Sequence, residues 1–482
     1  MKKIKGLFSY ENKYGYLAKN SMLFAISSFG SKLLVFFLIP LYTKILSTSD
    51  YGIADLVLTT SNLLAYIVTI NISDAVLRFM LDKRADKDGI FRFGFVTIIK
   101  GCTFFSAVVF ILYLFNIIEW PDYCYLFLVL YLSVNAFNTL FQNYLRGIDK
   151  IKQVAVSGVL TTLVTIISNI VFLIAFKFGI IGYLLSLVLG TFFSTIYCLT
   201  QCKGVRRLII GELCEDEIKG EMVKYSLPLI FNGIAWWVNG SLDKYFIVAI
   251  NGVSVNGIYS VSSKIPTIFT TMTGIFSQAW SLSAVKEFGQ EGGTTFFENI
   301  YKLYHALLLI ICSILILINI PIAKLLFAKD FFVAWKYSSP LLLSVFFNSL
   351  ASFVGSIFAV VKDNRMYAVS TVSAAVVNTA MNAILIPKYG ALGAATATAM
   401  SFFVVFVIRF MASKKYIVWS TSAIKDISLY FVLGLQVVFE HMDSHVYIGQ
   451  VVCFLAIIFL LRKEIFKFAK NIKSIKKKLL HK

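Results

Sequence analysis

Positive charge alternates along this chain, and the alternation restricts the possible fold more than any short motif does. Long hydrophobic runs divide the sequence, and about 35 of its 45 Lys and Arg residues fall at every second junction between runs, with about six at the alternate junctions. Such a bias marks the cytoplasmic loops of proteins that cross the bilayer many times. The pattern therefore predicts a multi-spanning membrane protein with all its basic loops on one side.

The composition supports solvation by lipid. Hydrophobic residues make up 58% of the chain and charged residues 15%, whereas globular domains are roughly half apolar and one quarter charged. The net charge of +20 would suggest nucleic acid in a soluble protein. Here the cations lie in short loops and a basic tail, so insertion bias and anionic lipid explain them, and no nucleic acid is expected.

The hydrophobic runs predict an all-α protein with about 14 transmembrane helices, because a spanning helix needs about 20 largely apolar residues. An even number places both termini on the cytoplasmic side. The predicted helices cover residues 20–45, 52–77, 92–116, 122–145, 153–177, 180–201, 224–250, 256–284, 299–320, 333–361, 367–387, 391–412, 421–440 and 446–462.

An internal repeat divides the predicted helices into two related lobes. The segment KFGIIG at 177–182 recurs as KYGALG at 388–393, and Gly52-Ile53 recurs as Gly257-Ile258. The offset spans six helices, so both halves have the same orientation, as in transporters with parallel repeats and a substrate path between them. We predict a central cavity and the following parts: N-lobe 1–201, cytoplasmic linker 202–223, C-lobe 224–412, helices 13 and 14 in 413–462, and a basic cytoplasmic tail 463–482.

Lysines inside the predicted helices are the first candidates for function, because a charge within the bilayer is costly and must face a partner or a wet cavity. Lys32 lies near the middle of helix 1 and is expected to place a fixed positive charge in the central cavity; a structural pair or snorkelling is the alternative. Lys264 and Lys244 are also predicted to bind substrate, although Lys244 is near enough to the outer interface to snorkel. Lys100 is expected to snorkel inward.

Several polar residues extend this candidate site. Asp74 and Arg78 have the i, i+4 spacing of a helix salt bridge, and Arg78 is alternatively a guanidinium fork for an incoming phosphate. Gln278 and Trp280 suit a sugar, through amide hydrogen bonds and an aromatic face, with an anchor at the membrane interface as the alternative for Trp280. Ion coupling or structural ion pairs are predicted for Asp55, Asp74 and Asp243, with Lys264 as one plausible partner of Asp243.

The sequence lacks the usual signatures of enzymes. It has no Gly-rich phosphate loop before Lys-Ser or Lys-Thr, its four His residues are scattered, and its seven Cys residues form no metal or disulfide pattern. We therefore expect a protein that is not an enzyme and that needs no cofactor or metal.

The chain resembles the polysaccharide repeat-unit flippases of the multidrug/oligosaccharidyl-lipid/polysaccharide (MOP) exporter superfamily. The similarity spans nearly the whole chain and is loosest in helices 13 and 14. It is carried by the segments 28–32, 40–44, 51–56, 75–79, 257–261, 264–266, 276–280 and 387–395.

This resemblance implies an activity. Oligosaccharide repeat units of O-antigen or capsule, linked to undecaprenyl diphosphate, would move from the cytoplasmic to the outer leaflet of the bacterial inner membrane by alternating access. An ion gradient or the membrane potential would drive transport, and polysaccharide polymerase and chain-length machinery are expected partners. Because the diphosphate is anionic, we predict that Lys32, Arg78 and Lys264 hold it in turn.

Two other functions remain open at this point. A drug/cation antiporter of the same fold would use buried carboxylates, whereas the charges inside these helices are mostly positive. A membrane glycan polymerase or ligase would need a large external loop or domain, and the predicted outer junctions are short.

Overall fold

The computed structural model describes residues 36–82, 86–202, 213–287, 293–361, 363–420, 422–442, 446–464 and 466, and within these ranges the chain forms helices and no strand. We number the α-helices in chain order. They are α1 Ile39–Ile45, α2 Thr48–Val68, α3 Ile72–Met80, α4 Lys87–Leu114, α5 Asp122–Gly147, α6 Ile151–Asn169, α7 Gly179–Gln201, α8 Asp216–Asn251, α9 Val253–Ser262, α10 Lys264–Glu287, α11 Gly293–Leu317, α12 Asn319–Leu326, α13 Trp335–Val360, α14 Asn364–Ser413, α15 Ala423–Glu440 and α16 Val446–Leu460.

The helices have the length and composition of membrane spans. Eight helical stretches in the described ranges are long and apolar enough to cross a bilayer. Large apolar side chains remain exposed on them, such as Phe104 at 73% and Ile167 at 61%, because lipid rather than protein covers those faces. The predicted all-α, multi-pass membrane fold is confirmed, while the count of 14 spans stays a prediction.

Local backbone signals decide where helices begin and break. Helix α2 starts with a capping box, in which the Ser47 hydroxyl accepts a hydrogen bond from the Asp50 N–H at 3.0 Å and the Asp50 carboxylate accepts from the Ser47 N–H at 3.3 Å. The single helix predicted at 52–77 is two helices, because Ile70 and Asn71 adopt positive φ values of 51° and 48°. A left-handed residue interrupts the regular helical backbone.

The two copies of the predicted sequence repeat share a backbone conformation. Gly179 and Gly390, at equivalent places of the two segments, have φ values of 56° and 57°. Only glycine adopts this conformation readily. The turn between predicted helices 5 and 6 and the turn within α14 are therefore built in the same way.

The chain divides into two compact units. The first runs to Val248 and also includes Gly252–Gly257, and the second consists of Ala249–Asn251 and the residues from Ile258 onwards. Most of α8 therefore packs with the first unit. The lobe boundaries inferred from the repeat stay a prediction.

Repeat-related glycines touch each other within the first unit. A Cβ atom added to Gly52 of α2 would lie 2.2 Å from the carbonyl oxygen of Val253, and one added to Gly257 of α9 would lie 1.9 Å from that of Thr48. The Asn256 amide also donates to the Gly52 carbonyl at 3.1 Å. The contact is reciprocal, since each glycine meets the residue four positions before the other, as at an interface with local two-fold symmetry.

Candidate functional site

An ion pair joins α2 and α8 inside the first unit. The Lys244 Nζ atom lies 3.0 Å from Oδ1 of Asp55, to which it donates a hydrogen bond, and 2.9 Å from Oδ2. The side chains of Lys244 and Asp55 are only 16% and 15% exposed. A single charge at this depth is costly, and the opposite charge compensates it. The structure thus brings together two predicted site residues, while binding of substrate by Lys244 stays a prediction.

Hydroxyl and indole groups surround this pair. The Lys244 ammonium lies 3.5 Å from the Thr59 hydroxyl, and the Trp237 indole N–H donates to the Thr59 carbonyl at 2.9 Å. On the next residue of each helix, the hydroxyls of Thr60 and Tyr245 are 2.5 Å apart. Polar groups on α2 are therefore matched by polar groups on α8, and the two helices present a polar layer in an otherwise apolar region.

Asp243 lies beside this layer and is 5% exposed. Its carboxylate accepts a hydrogen bond of 2.9 Å from the backbone N–H of Lys244. Lys264, the plausible partner of Asp243 named from the sequence, is half-buried at the start of α10 in the second unit. Their pairing stays a prediction.

At the predicted cytoplasmic end of the first unit, Asp74 is bound by two amides. Its carboxylate accepts hydrogen bonds from Asn71 at 3.0 Å and from Asn143 at 3.4 Å. Arg78 instead contacts Asp82, with 3.5 Å between Nη1 and Oδ1 and with the two side chains 54% and 64% exposed. Such an exposed pair is weak, so the Arg78 guanidinium remains accessible to an anion at this end of the unit.

Trp280 lies in the core of the second unit rather than at a surface. It is 4% exposed, its ring is stacked 4.3 Å from that of Phe353, and its N–H donates to the Ser356 hydroxyl at 2.7 Å. Both its face and its donor are therefore used within the unit. Gln278 lies on the same helix, α10, but its side chain is outside the described part of the chain, as is Lys32 entirely.

The sequence did not reveal a buried arginine in the second unit. Arg409, which lies near the end of the predicted helix 391–412, is 3% exposed. Its guanidinium donates to the Ser370 hydroxyl at 2.9 Å, the Thr371 hydroxyl at 3.0 Å and the Ala351 carbonyl at 3.0 Å, and it lies 4.2 Å from the centre of the Tyr367 ring. These contacts solvate the cation and tie α13 to both arms of α14.

We predict that Arg409→Lys destabilises the protein by about 2 kcal/mol, because an ammonium cannot reach all three acceptors from one position. Thermal unfolding of the purified protein measures this loss. Arg365→Lys, the same substitution at an exposed position of the same helix, is the matched control and is expected to be neutral. Equal effects of the two substitutions would contradict the role assigned to the Arg409 contacts.

The fold is that of MOP superfamily transporters. A structure of the lipid II flippase MurJ, in an inward closed conformation, matches with a TM-score of 0.64 at 15% identity, over 93% of this chain and 99% of that chain. A MOP superfamily transporter from Pyrococcus furiosus matches with a TM-score of 0.59 at 13% identity, over 86% and 96%. An outward-facing multidrug resistance MATE transporter gives 0.59 at 13% identity, over 86% and 96%. The protein is thus an all-helical, multi-pass membrane protein with the fold of these transporters.

The family follows from the sequence comparison. The model of the polysaccharide biosynthesis protein family matches residues 17–281, which is more than half of the chain. The chain belongs to this family. An uncharacterised membrane protein of Methanocaldococcus jannaschii, MJ1375, is 22% identical in an alignment of 435 residues that covers 83% of this chain and 100% of that protein.

Proposed function

We propose that this protein is a flippase for lipid-linked oligosaccharides. It would move polysaccharide repeat units, of O-antigen or capsule, on undecaprenyl diphosphate from the cytoplasmic to the outer leaflet of the bacterial inner membrane. Alternating access driven by an ion gradient or the membrane potential is the proposed mechanism. Both termini are proposed to be cytoplasmic, and polysaccharide polymerase and chain-length machinery are proposed partners.

The observation that carries this proposal is the Asp55–Lys244 ion pair, within helices of a chain from a polysaccharide biosynthesis family. A diphosphate can cross a low-dielectric region only where cations compensate its charge. Lys244 is already held there by Asp55 and is partly exposed. In the proposed mechanism it exchanges this carboxylate for a phosphate, and the neighbouring hydroxyls donate hydrogen bonds to the same group.

Drug/cation antiport is the second candidate, favoured by the fold shared with a multidrug resistance MATE transporter. A cation carrier needs a buried carboxylate that is free to bind its cargo. Asp55 is such a carboxylate by burial, but Lys244 neutralises it. The pair alone does not separate the two candidates, since either member can be exchanged for a charged substrate, and the match to a polysaccharide biosynthesis family favours the flippase.

Reconstitution distinguishes the two candidates. Purified protein is reconstituted into vesicles that carry an undecaprenyl-diphosphate-linked oligosaccharide in the inner leaflet. The appearance of this oligosaccharide in the outer leaflet is followed with a glycan-binding or glycan-cleaving reagent added outside. The flippase proposal expects faster transfer than in protein-free vesicles and no uptake of cationic dyes. Dye efflux without glycan transfer, or glycan chain growth by the protein alone, would overturn it.

We predict that Lys32→Ala reduces translocation at least about tenfold while the protein still inserts, because the diphosphate loses one charge-assisted contact. Lys32→Arg keeps the charge and is expected to restore part of the activity. Lys100→Ala, at an exposed lysine of α4, is the control and should transport normally. Unchanged transport by Lys32→Ala would exclude this lysine as a ligand.

A further inference from the structure

A second polar site lies wholly within the second unit. A cavity of about 600 Å³ is lined by α11, by the start of α15 and by residues just after α16. Buried His305, Leu429 and Leu461 lie at its base, and exposed Ser422 and Lys463 at its rim. The predicted topology places these segments at the cytoplasmic interface. The volume is that of a typical small-molecule pocket, and its wall is amphipathic.

Most charges around this cavity are already paired. Lys302 lies 2.5 Å from Glu298, and Lys425 lies 2.5 Å from Glu464. These pairs cancel within the protein. Any charge preference of the cavity must therefore come from the charged side chains that remain.

One charge of each sign is left over. The Asp426 carboxylate lies 4.0 Å from the His305 ring, measured between Oδ1 and Nδ1, and forms no salt bridge with a Lys or Arg of the described chain. Lys463, exposed at the rim, likewise has no carboxylate within ion-pair distance among the described residues. The cavity is thus formally neutral but presents an unmatched anion and an unmatched cation, as a zwitterionic ligand requires.

Two buried atoms point to the chemistry of that ligand, with His305 assigned as the tautomer whose Nδ1–H faces Asp426, so that its Nε2 is an acceptor. Oε2 of Glu464 and Nε2 of His305 are buried and have no hydrogen-bond partner among the described residues, and His305 is 5% exposed. Buried polar atoms are normally bonded. A ligand with several N–H donors on one cation satisfies both atoms together with Asp426.

We propose that this cavity binds the headgroup of a phospholipid that carries a primary ammonium and a phosphate. The ammonium contacts Asp426, Glu464 and His305. The phosphate contacts Lys463 and the N-terminus of α15, where Ser422 caps an 18-residue helix. Leu429 and Leu461 cover the first carbons of the lipid. This inference concerns a resident lipid and does not depend on the proposed transport activity.

Other ligands match the site less well. An anionic headgroup without the amine would meet the Asp426 carboxylate. No group of three or more His, Cys, Asp or Glu side chains in the described ranges is arranged to hold a metal ion. A quaternary ammonium has no N–H with which to bond the two orphaned acceptors.

Lipid-dependent stability tests the proposal. Delipidated full-length protein is titrated with phosphatidylethanolamine, phosphatidylcholine, phosphatidylglycerol or soluble phosphoethanolamine, and the thermal unfolding midpoint is recorded at each concentration. Phosphatidylethanolamine should stabilise the protein at concentrations about tenfold lower than phosphatidylcholine does, because the quaternary ammonium of phosphatidylcholine cannot donate the hydrogen bonds. Equal responses to these two lipids, or a stronger response to phosphatidylglycerol, would overturn the proposal, as would equal stabilisation by the soluble headgroup.

Variants locate the binding. Asp426→Asn should raise the phosphatidylethanolamine concentration needed for half-maximal stabilisation about tenfold, and Lys463→Ala should raise it for every phosphate-bearing lipid. Lys152→Ala, at an exposed lysine in the first turn of α6 in the first unit, is the control for general surface charge. If Asp426→Asn does not fold, Lys463→Ala alone decides, because its exposed side chain is not part of the core. Wild-type lipid responses in the folded variants would place the lipid elsewhere.

Discussion

Gly257→Ala and Gly52→Ala are expected to destabilise the protein strongly, by about 1–3 kcal/mol each, as overpacking does in a tight interior. The added methyl group would lie 1.9 Å from the Thr48 carbonyl oxygen in the first variant and 2.2 Å from that of Val253 in the second. Both obstacles are backbone atoms of helices and cannot rotate away. The helices must separate, and the Asn256 hydrogen bond to Gly52 is stretched. The midpoint of thermal unfolding in detergent measures the loss.

The reciprocal contact gives this prediction an internal control. Both methyl groups separate the same pair of helices, so the double variant should lose less stability than the sum of the two single variants. Gly240→Ala is the neutral comparison, because an added Cβ at this position of α8 meets no atom within 4 Å and alanine favours a helix. Additive losses, or a Gly240→Ala variant as unstable as the others, would contradict the reciprocal contact.

The sequence predicted these glycines as a repeat but not as a contact. Hydrophobic runs and cation placement are local signals that lipid and the insertion machinery impose on each segment separately. They therefore predict membrane helices well, as in α5 and α7. A contact between residues 205 positions apart along the chain depends on how helices pack, and no local signal encodes it.

In the candidate site, too, local sequence signals did not predict contacts between residues that are distant along the chain. Burial cost identified Lys244 as a residue that needs a partner, but the sequence offered no reason to choose Asp55, which lies 189 positions away. Arg409 was missed because its position at the end of a hydrophobic run is typical of a cytoplasmic anchor. Its acceptors are hydroxyls and a carbonyl, which leave no charge pattern in the sequence.

Removal of one member of the Asp55–Lys244 pair is expected to have the second large effect. Asp55→Asn leaves the Lys244 ammonium largely buried and without a compensating charge. We expect it to lower the free energy of unfolding by about 2 kcal/mol, which is less than for a fully buried pair because this pair is partly exposed. Lys244→Gln has the mirror effect on Asp55. The double variant Asp55→Asn/Lys244→Gln carries no charge, and its amides can hydrogen-bond each other. It should unfold at a higher temperature than either single variant.

Exchange of the two charges separates stability from transport. Asp55→Lys combined with Lys244→Asp restores an attractive pair between α2 and α8, so we expect stability within about 1 kcal/mol of the wild type. The proposed exchange of Asp55 for phosphate needs the ammonium on α8, beside the hydroxyl of Tyr245 and the indole of Trp237. Flipping in vesicles should therefore stay below about one tenth of the wild-type rate, because a tenfold reduction corresponds to the loss of one charge-assisted contact. A stable exchanged variant with full flipping would show that the pair only joins the helices, and would remove Lys244 from the substrate site.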